Sequence, residues 1–64
     1  MQTIMLMEDD AALGQGICLA LKDSCVQVRL CQTLAQGRAA LEHGPFDLLI
    51  LDINLPDGSG LDLL

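Results

Sequence analysis

Residues 47–60, DLLILDINLPDGSG, decide the fold of this chain. The stretch 47–53 has strand length, is apolar through its middle and reaches a carboxylate at Asp52. Continuous apolarity of this kind is typical of a strand that is buried on both faces. The stretch 54–60 is dense in residues that favour turns, namely asparagine, proline, aspartate and glycine. The pattern predicts a core strand that ends in a carboxylate and a tight loop.

Strand and helix patterns alternate on the N-terminal side of this stretch. We expect strands at about 3–8, 25–31 and 47–53, helices at about 11–22 and 34–43, and the start of a third helix at about 60–64. This order predicts an α/β domain with a parallel sheet and helices on both faces. The first and third strands are continuously apolar and should lie inside the sheet. The second strand alternates apolar and polar residues and should lie at an edge.

The spacing of apolar residues also predicts which helix faces are buried. In the first helix, residues at i, i+4, i+7 and i+8 form one apolar face; they are Leu13, Ile17, Ala20 and Leu21. In the second helix the inward residues should be Leu34, Ala40 and Leu41.

Composition excludes several classes of function. The chain has 64 residues, is 52% hydrophobic and carries 3 Lys+Arg against 9 Asp+Glu, for a net charge of −6. An acidic chain with one aromatic residue offers no surface for nucleic acid or anionic lipid, and no apolar run approaches the length of about 18 residues that a membrane span needs. The 3 cysteines form no CxxC pair and there is 1 histidine. This favours reduced thiols in a cytoplasmic protein over a disulfide or zinc framework.

Carboxylates stand at the C-terminal ends of two predicted strands. Glu8 and Asp9 follow the first strand, and Asp52 ends the third. Ligand sites of open parallel sheets lie outside the carboxyl ends of the strands, so these side chains should converge. Three carboxylates this close need a cation to stay ionised, and all-oxygen ligands suit Mg²⁺. The alternative, that Asp9 and Asp10 cap a helix and Asp52 starts a turn, explains Asp10 well and Asp52 poorly.

Two motifs in the chain resemble the receiver domain of two-component response regulators. They are the sequence MLMEDD at 5–10 before a helix and the D-x-x-L-P-D-G-x-G pattern within 47–60. The spacing between the two motifs also resembles that of the family. The resemblance covers this whole chain and about the first half of a receiver domain. It implies a flavodoxin-like fold with strand order 2-1-3-4-5, truncated here to β-α-β-α-β and the start of a third helix. The acidic triplet resembles the branch whose receiver precedes a winged-helix DNA-binding domain.

The resemblance implies a role for particular residues. Asp52 would be the phosphorylation site, Asp9 a direct Mg²⁺ ligand, Glu8 a ligand through water, and Asn54 a ligand through its backbone carbonyl. The residues implied to shape the loop are Pro56, Asp57, Gly58 and Gly60.

The implied partner is a sensor histidine kinase that supplies the phosphoryl group from a phosphohistidine. The chain would be a phospho-acceptor with at most self-catalysed transfer and not an enzyme, and it would reach DNA only through an effector domain. The Thr or Ser after the fourth strand and the Lys after the fifth, which sense the phosphoryl charge in the family, are absent from these 64 residues. We therefore expect slow labelling of this chain.

Two other families fit the residues less well. A haloacid-dehalogenase-type phosphatase needs a second carboxylate two residues after the nucleophile, where this chain has Asn54. A dinucleotide or P-loop nucleotide binder needs a glycine-rich turn after the first strand, where the acidic triplet stands.

The remaining alternative is a structural or oligomerisation unit without phosphotransfer. The apolar third strand would leave one edge without a partner strand in this chain, and such an edge pairs readily with another chain. We therefore expect the chain to be ordered as a homo-oligomer, most simply a two-fold dimer.

Overall fold

Three parallel strands and two helices make up the computed structural model, which describes all 64 residues. Along the chain the elements are β1 (Gln2–Met7), α1 (Ala11–Leu21), β2 (Val26–Cys31), α2 (Leu34–His43), β3 (Leu48–Ile50) and a final 3₁₀ turn (Gly60–Leu63). The predicted α/β class with a parallel sheet is confirmed. No helix in the chain has the length and apolar character needed to cross a bilayer.

The sheet has the strand order β2-β1-β3. β1 pairs with β2 along its whole length, from Gln2 opposite Val26 to Met7 opposite Cys31. Its pairing with β3 is shorter and starts at Ile4 opposite Leu48. β2 lies at an edge, as expected. β3 forms the other edge, so it does not lie inside the sheet as its apolarity indicated, but it has the unpaired edge that was expected for this chain.

β3 is also shorter than the expected 47–53, because its ladder stops at Ile50. Beyond that residue the chain forms hydrogen bonds within the loop that follows the strand. The Asp52 carbonyl accepts from the Gly60 N–H at 2.8 Å, and the Asn54 N–H donates to the Asp52 carboxylate at 3.0 Å. The chain therefore leaves the sheet before Asp52, and the last predicted helix is a single 3₁₀ turn.

A sulfur-rich core lies beneath α2. Its largest fully buried side chains are Met5, Met7 and Cys31. The rest of the buried cluster consists of Leu34, Ala40 and Leu55. Leu34 and Ala40 were expected to face inward, and Leu41 packs against the same cluster while remaining partly exposed.

The buried face of α1 agrees only in part with the one that the spacing predicted, since Ile17 is half-buried but the other three residues are exposed. Leu13 is 53% exposed, Ala20 is exposed, and Gly14 is the one fully buried residue of the helix. The sequence of this helix, AALGQGICLAL, is apolar almost all round. Apolar periodicity therefore cannot select a face, and close approach at Gly14 decides which side meets the sheet.

Gly14 and Gly16 provide a test of this close approach. Gly16→Ala should raise the free energy of unfolding by about 1 kcal/mol, the usual preference for alanine in a helix interior, since no other group lies within 4 Å of the new Cβ. In Gly14→Ala the Cβ would lie 2.7 Å from Leu30 Cδ1, so displacement of that side chain should cancel most of the gain. Urea unfolding measures both values. Equal stabilisation by the two variants would contradict the packing of α1 on β2.

Candidate functional site

Three carboxylates meet at the C-terminal edge of the sheet. Glu8 and Asp9 follow β1, Asp52 follows β3, and one oxygen from each lies within 4.8 Å of the others. β1 and β3 are parallel neighbours, so the residues that follow them leave the sheet on the same side. Glu8 and Asp52 are half-buried and Asp9 is exposed. The structure therefore brings together the three acidic side chains that the sequence placed at strand ends.

Backbone contacts orient the acidic segment after β1. The Glu8 N–H donates to the Cys31 carbonyl at 3.0 Å, which extends the pairing of β1 and β2 by one residue. Glu8 Oε1 accepts from the Asp10 N–H at 3.2 Å. Asp10 caps α1, its Oδ1 accepting from the Leu13 N–H at 3.0 Å. Asp10 thus serves as the N-cap of the helix, and Glu8 and Asp9 lie beside Asp52.

Hydrogen bonds close the loop that begins at Asp52. Its carboxylate Oδ1 accepts from the Asn54 N–H, and its carbonyl accepts from the Gly60 N–H. A Cβ at Gly60 would collide with that carbonyl oxygen and would lie 3.1 Å from Leu51 Cβ. Gly60 is therefore required for the close approach that returns the chain to the end of β3.

A tight turn from Leu55 to Gly58 forms the middle of this loop. The Leu55 N–H donates to the Gly58 carbonyl at 3.0 Å, and the Gly58 N–H donates back at 3.3 Å. Pro56 supplies a fixed φ at the second position of the turn. Gly58 has φ 145°, a conformation that side chains with a Cβ rarely adopt. Leu55 is buried in the core, and Asp57 lies at the exposed tip.

Asp57 joins this loop to the start of α2. Its Oδ1 accepts from the Leu34 N–H at 2.7 Å, and its Oδ2 accepts from the Ala35 N–H at 3.1 Å. The helix has no acidic residue in its own first turn, and its N-cap, Thr33, accepts from the Gln36 N–H at 3.1 Å. Asp57 and Thr33 together satisfy the N–H groups of the first turn, which have no partner within the helix.

These bonds hold the pKa of Asp57 below its usual range. The bond from the Leu34 N–H is the largest cause, the bond from Ala35 and the positive charge of Arg38 add to it, and partial desolvation opposes it. From the sequence, Asp57 was expected only to shape the loop, and its contact with α2 was missed. The available signal was the absence of an acid in the first turn of that helix.

The structure divides the predicted site residues into two groups. The carboxylates of Glu8, Asp9 and Asp52 form the cluster, while the loop residues Pro56, Asp57, Gly58 and Gly60 make the turn, the helix contact and the loop closure described above. Asn54 lies two residues beyond Asp52 and donates its N–H to that side chain. The role of its carbonyl as a ligand stays a prediction.

The chemistry of the cluster fits Mg²⁺. All of its donors are carboxylate oxygens, and Mg²⁺ prefers oxygen ligands, takes one or two carboxylates and keeps several waters or phosphate oxygens. Mutual repulsion of three like charges at this spacing is relieved by a cation. The half-buried positions of Glu8 and Asp52 beside the exposed Asp9 leave one side of the cluster open to solvent.

A cleft lies at the opposite end of the sheet from the acidic cluster. It has a volume of about 170 Å³ and lies between the start of β1, β2 and the end of α2. Its polar lining comes from Thr3, Gln27, Arg29 and His43. It shares no residue with the acidic cluster.

Comparison with known protein families assigns this chain to one of them. The response regulator receiver domain family matches residues 4–64, and the chain belongs to it. The membership predicted from the two motifs is thereby confirmed.

Curated relatives and a solved structure agree with this assignment. The chain is 41% identical over 61 residues to the swarming motility regulation protein RssB of Serratia marcescens and 44% identical over 61 residues to the response regulator protein PmrA of Pseudomonas aeruginosa. Each alignment covers 95% of this chain and 28% of the relative. The non-phosphorylated HemR receiver domain from Leptospira biflexa is similar at 35% identity with a TM-score of 0.87, over 98% of this chain and 51% of that one. The chain thus spans about a quarter of these curated relatives and half of the solved neighbour.

The contact between Asp57 and α2 should make stability fall in acid. Because the folded-state pKa of Asp57 is lowered, its stabilising effect is complete above the ordinary aspartate pKa of about 3.9. It is lost as the pH falls through the lowered folded-state value. Urea unfolding from pH 7 to pH 2 should therefore show a shallower acid loss in Asp57→Asn than in the wild type.

Glu42→Gln is the control for that comparison. It removes a carboxylate from the exposed face of the same helix and should leave the acid loss close to that of the wild type. If Asp57→Asn and Glu42→Gln gave the same profile, net charge and not the contact with α2 would explain the effect.

Proposed function

We propose that Asp52 accepts a phosphoryl group from the phosphohistidine of a sensor histidine kinase, with Mg²⁺ held by Glu8, Asp9 and Asp52. The observation that carries this proposal is the convergence of these carboxylates within 4.8 Å in a chain of the receiver domain family. Asp9 would be a direct ligand, Glu8 a ligand through water, and the Asn54 carbonyl a further ligand.

The proposed reaction is an in-line transfer to a carboxylate oxygen. An electron pair of Asp52 forms the new bond to phosphorus, the bond from phosphorus to the histidine nitrogen breaks, and its electrons return to the imidazole. When bound, Mg²⁺ neutralises charge on the phosphoryl oxygens. The Asn54 N–H occupies Asp52 Oδ1, which favours Oδ2 as the attacking oxygen. The backbone bond from Gly60 closes the loop that follows Asp52.

In this proposal the chain is not an enzyme. It acquires a phosphoryl group on its own side chain, so the acyl phosphate carries close to two negative charges where the free carboxylate carried one, at an edge that is already acidic. Such a change of charge is a signal when another part of a longer protein senses it.

The relatives favour transcriptional control as the output of the longer protein. One of them, 39% identical over 61 residues, is the cell cycle transcriptional regulator CtrA of Caulobacter vibrioides, of which this chain covers 26%. We propose the same kind of output here, through a DNA-binding effector domain, in the cytoplasm and without a membrane partner. The net charge of −6 supports an indirect route to DNA, because this chain offers no basic surface.

Phosphorylation at Asp52 can be tested directly. The chain is incubated with a small acyl-phosphate donor and Mg²⁺ and then measured by intact mass. We expect slow addition of a single phosphoryl group, and none in Asp52→Asn. Asp47→Asn is the matched control, since Asp47 precedes the same strand and accepts from the Thr3 N–H at the opposite end of the sheet. Labelling that persists in Asp52→Asn would refute the assignment.

Metal binding at the cluster should appear as a change in thermal stability. A cation that binds only the folded chain stabilises it by mass action, so added Mg²⁺ should raise the melting temperature. Asp9→Ala should abolish that rise. Asp10→Ala is the control, because it removes the neighbouring carboxylate and the α1 cap and should lower the melting temperature without removing the response to Mg²⁺. A full response in Asp9→Ala would place the metal elsewhere.

A second candidate function is structural, and the edge of β3 favours it. β3 pairs with β1 on one side only, and Leu48 on that edge strand is 52% exposed. An apolar edge strand is a template for pairing with another chain. We propose that this 64-residue chain forms a two-fold dimer through that edge. Light scattering over a dilution series should give the mass of a dimer at micromolar concentration, and a folded, cooperatively melting monomer would contradict the proposal.

A further inference from the structure

The contact between Asp57 and α2 provides the hydrogen bonds that join the loop to the sheet and the two helices of the domain. The bond from Gly60 to Asp52 and the bonds between Leu55 and Gly58 lie within 52–60, and the remaining bonds of the loop run only within it or to the 3₁₀ turn that follows it. These bonds preserve the shape of the loop without fixing its position on the domain. Burial of Leu55 in the core holds the loop to the domain, but a hydrophobic contact does not fix orientation. The two bonds of Asp57 do fix it, because they run to backbone groups of a helix.

We infer that Asp57 is a positioning residue for the acidic site, holding the loop that contains Asp52 and Asn54 against the N-terminus of α2 in the geometry that binds Mg²⁺. This inference rests on the proposed function, since it assigns a task to Asp57 in the same site. Asp57 acts through the loop and is not itself a ligand. It lies outside the carboxylate cluster, and both of its oxygens are engaged by N–H groups.

Charge explains why an aspartate suits this position. The chain already carries a net charge of −6, and a further free carboxylate near the cluster would add repulsion. The N-terminus of α2 presents N–H groups that have no acceptor within the helix, together with the positive end of the helix dipole. Arg38, one turn further along the helix, adds a positive charge. The charge of Asp57 is therefore stabilised by α2.

Thr33 supplies a matched control for this inference. Its Oγ1 accepts from the Gln36 N–H at the same helix end, so Thr33→Ala also removes a capping bond, yet it leaves both bonds from Asp57 to the helix in place. If Asp57 merely capped α2, the Thr33 and Asp57 variants would have the same effect on the acidic site. If Asp57 positions the loop, only the Asp57 variants would affect it.

The experiment is a titration with Mg²⁺ of four proteins: the wild type, Asp57→Asn, Asp57→Ser and Thr33→Ala. Binding is followed by calorimetry and by the backbone amide signals of Asn54 and Gly60, and a urea midpoint is recorded for each protein. We expect Asp57→Ser, whose shorter side chain has no oxygen at the δ position, to weaken Mg²⁺ binding about tenfold, as loss of a group that supports a metal ligand usually does. Asp57→Asn keeps one acceptor oxygen in place and should be intermediate. Thr33→Ala should bind like the wild type despite its lower midpoint.

Comparable weakening by Asp57→Ser and Thr33→Ala, or none by either, would overturn the inference while leaving the proposed function intact. Absence of Mg²⁺ binding to the wild type would instead refute the proposed function. In that case the inference is tested by the backbone amide signals of Asn54 and Gly60 recorded without metal. Displacement of the Asn54 and Gly60 signals in the Asp57 variants but not in Thr33→Ala supports it, and unchanged signals overturn it. Asp57→Asn applies the same test if Asp57→Ser fails to fold.

Discussion

The parallel pairing of β1 with both of its neighbours is the constraint on which the rest of the structure depends. β1 is the one strand with hydrogen-bonded partners on both sides, and the four residues from Ile4 to Met7 are buried. Parallel neighbours cannot be joined by a tight turn, so the chain returns through α1 and α2. Because β1 and β3 run in the same direction, Glu8 and Asp52 lie at the same edge of the sheet, beyond the C-terminal ends of the apolar strands.

The cluster of carboxylates could be predicted from sequence because it depends on two local patterns, the apolar runs and the alternation of strands with helices, and on the general rule that ligand sites lie at the carboxyl ends of parallel strands. Apolar runs that lead to Glu8 and Asp52 show that these carboxylates stand near the C-terminal ends of their strands, and alternation of strands with helices shows that the strands are parallel. Convergence of the side chains then follows without knowledge of any individual contact. Leu34 and Ala40 on α2 were predicted for a similar reason, since their helix has a polar face that makes the apolar spacing informative.

Features that depend on contacts between distant residues could not be predicted in the same way. β3 ends at Ile50, and beyond it the Gly60 N–H donates to the Asp52 carbonyl, but the hydrophobicity of 47–53 carries no sign of either feature. The link from Asp57 to α2 joins residues more than twenty positions apart. In α1 the difficulty was the opposite one. Because apolar residues lie on nearly every side of this helix, the apolar spacing did not identify the buried face correctly, and the fully buried position belongs to Gly14, which has no side chain.

The sulfur-rich core has a consequence for how this fold responds to oxidants. Met5 is 0% exposed and Met7 1% exposed, so peroxide reaches their thioether groups only when the domain opens. A sulfoxide at either position would add a polar oxygen to a space that offers it no hydrogen-bond donor. Each oxidation event would therefore trap the opened chain and keep it from closing again. The rate at which Met5 and Met7 are oxidised thus measures how often the central strand is exposed, in a chain that has no tryptophan or tyrosine to report it by fluorescence.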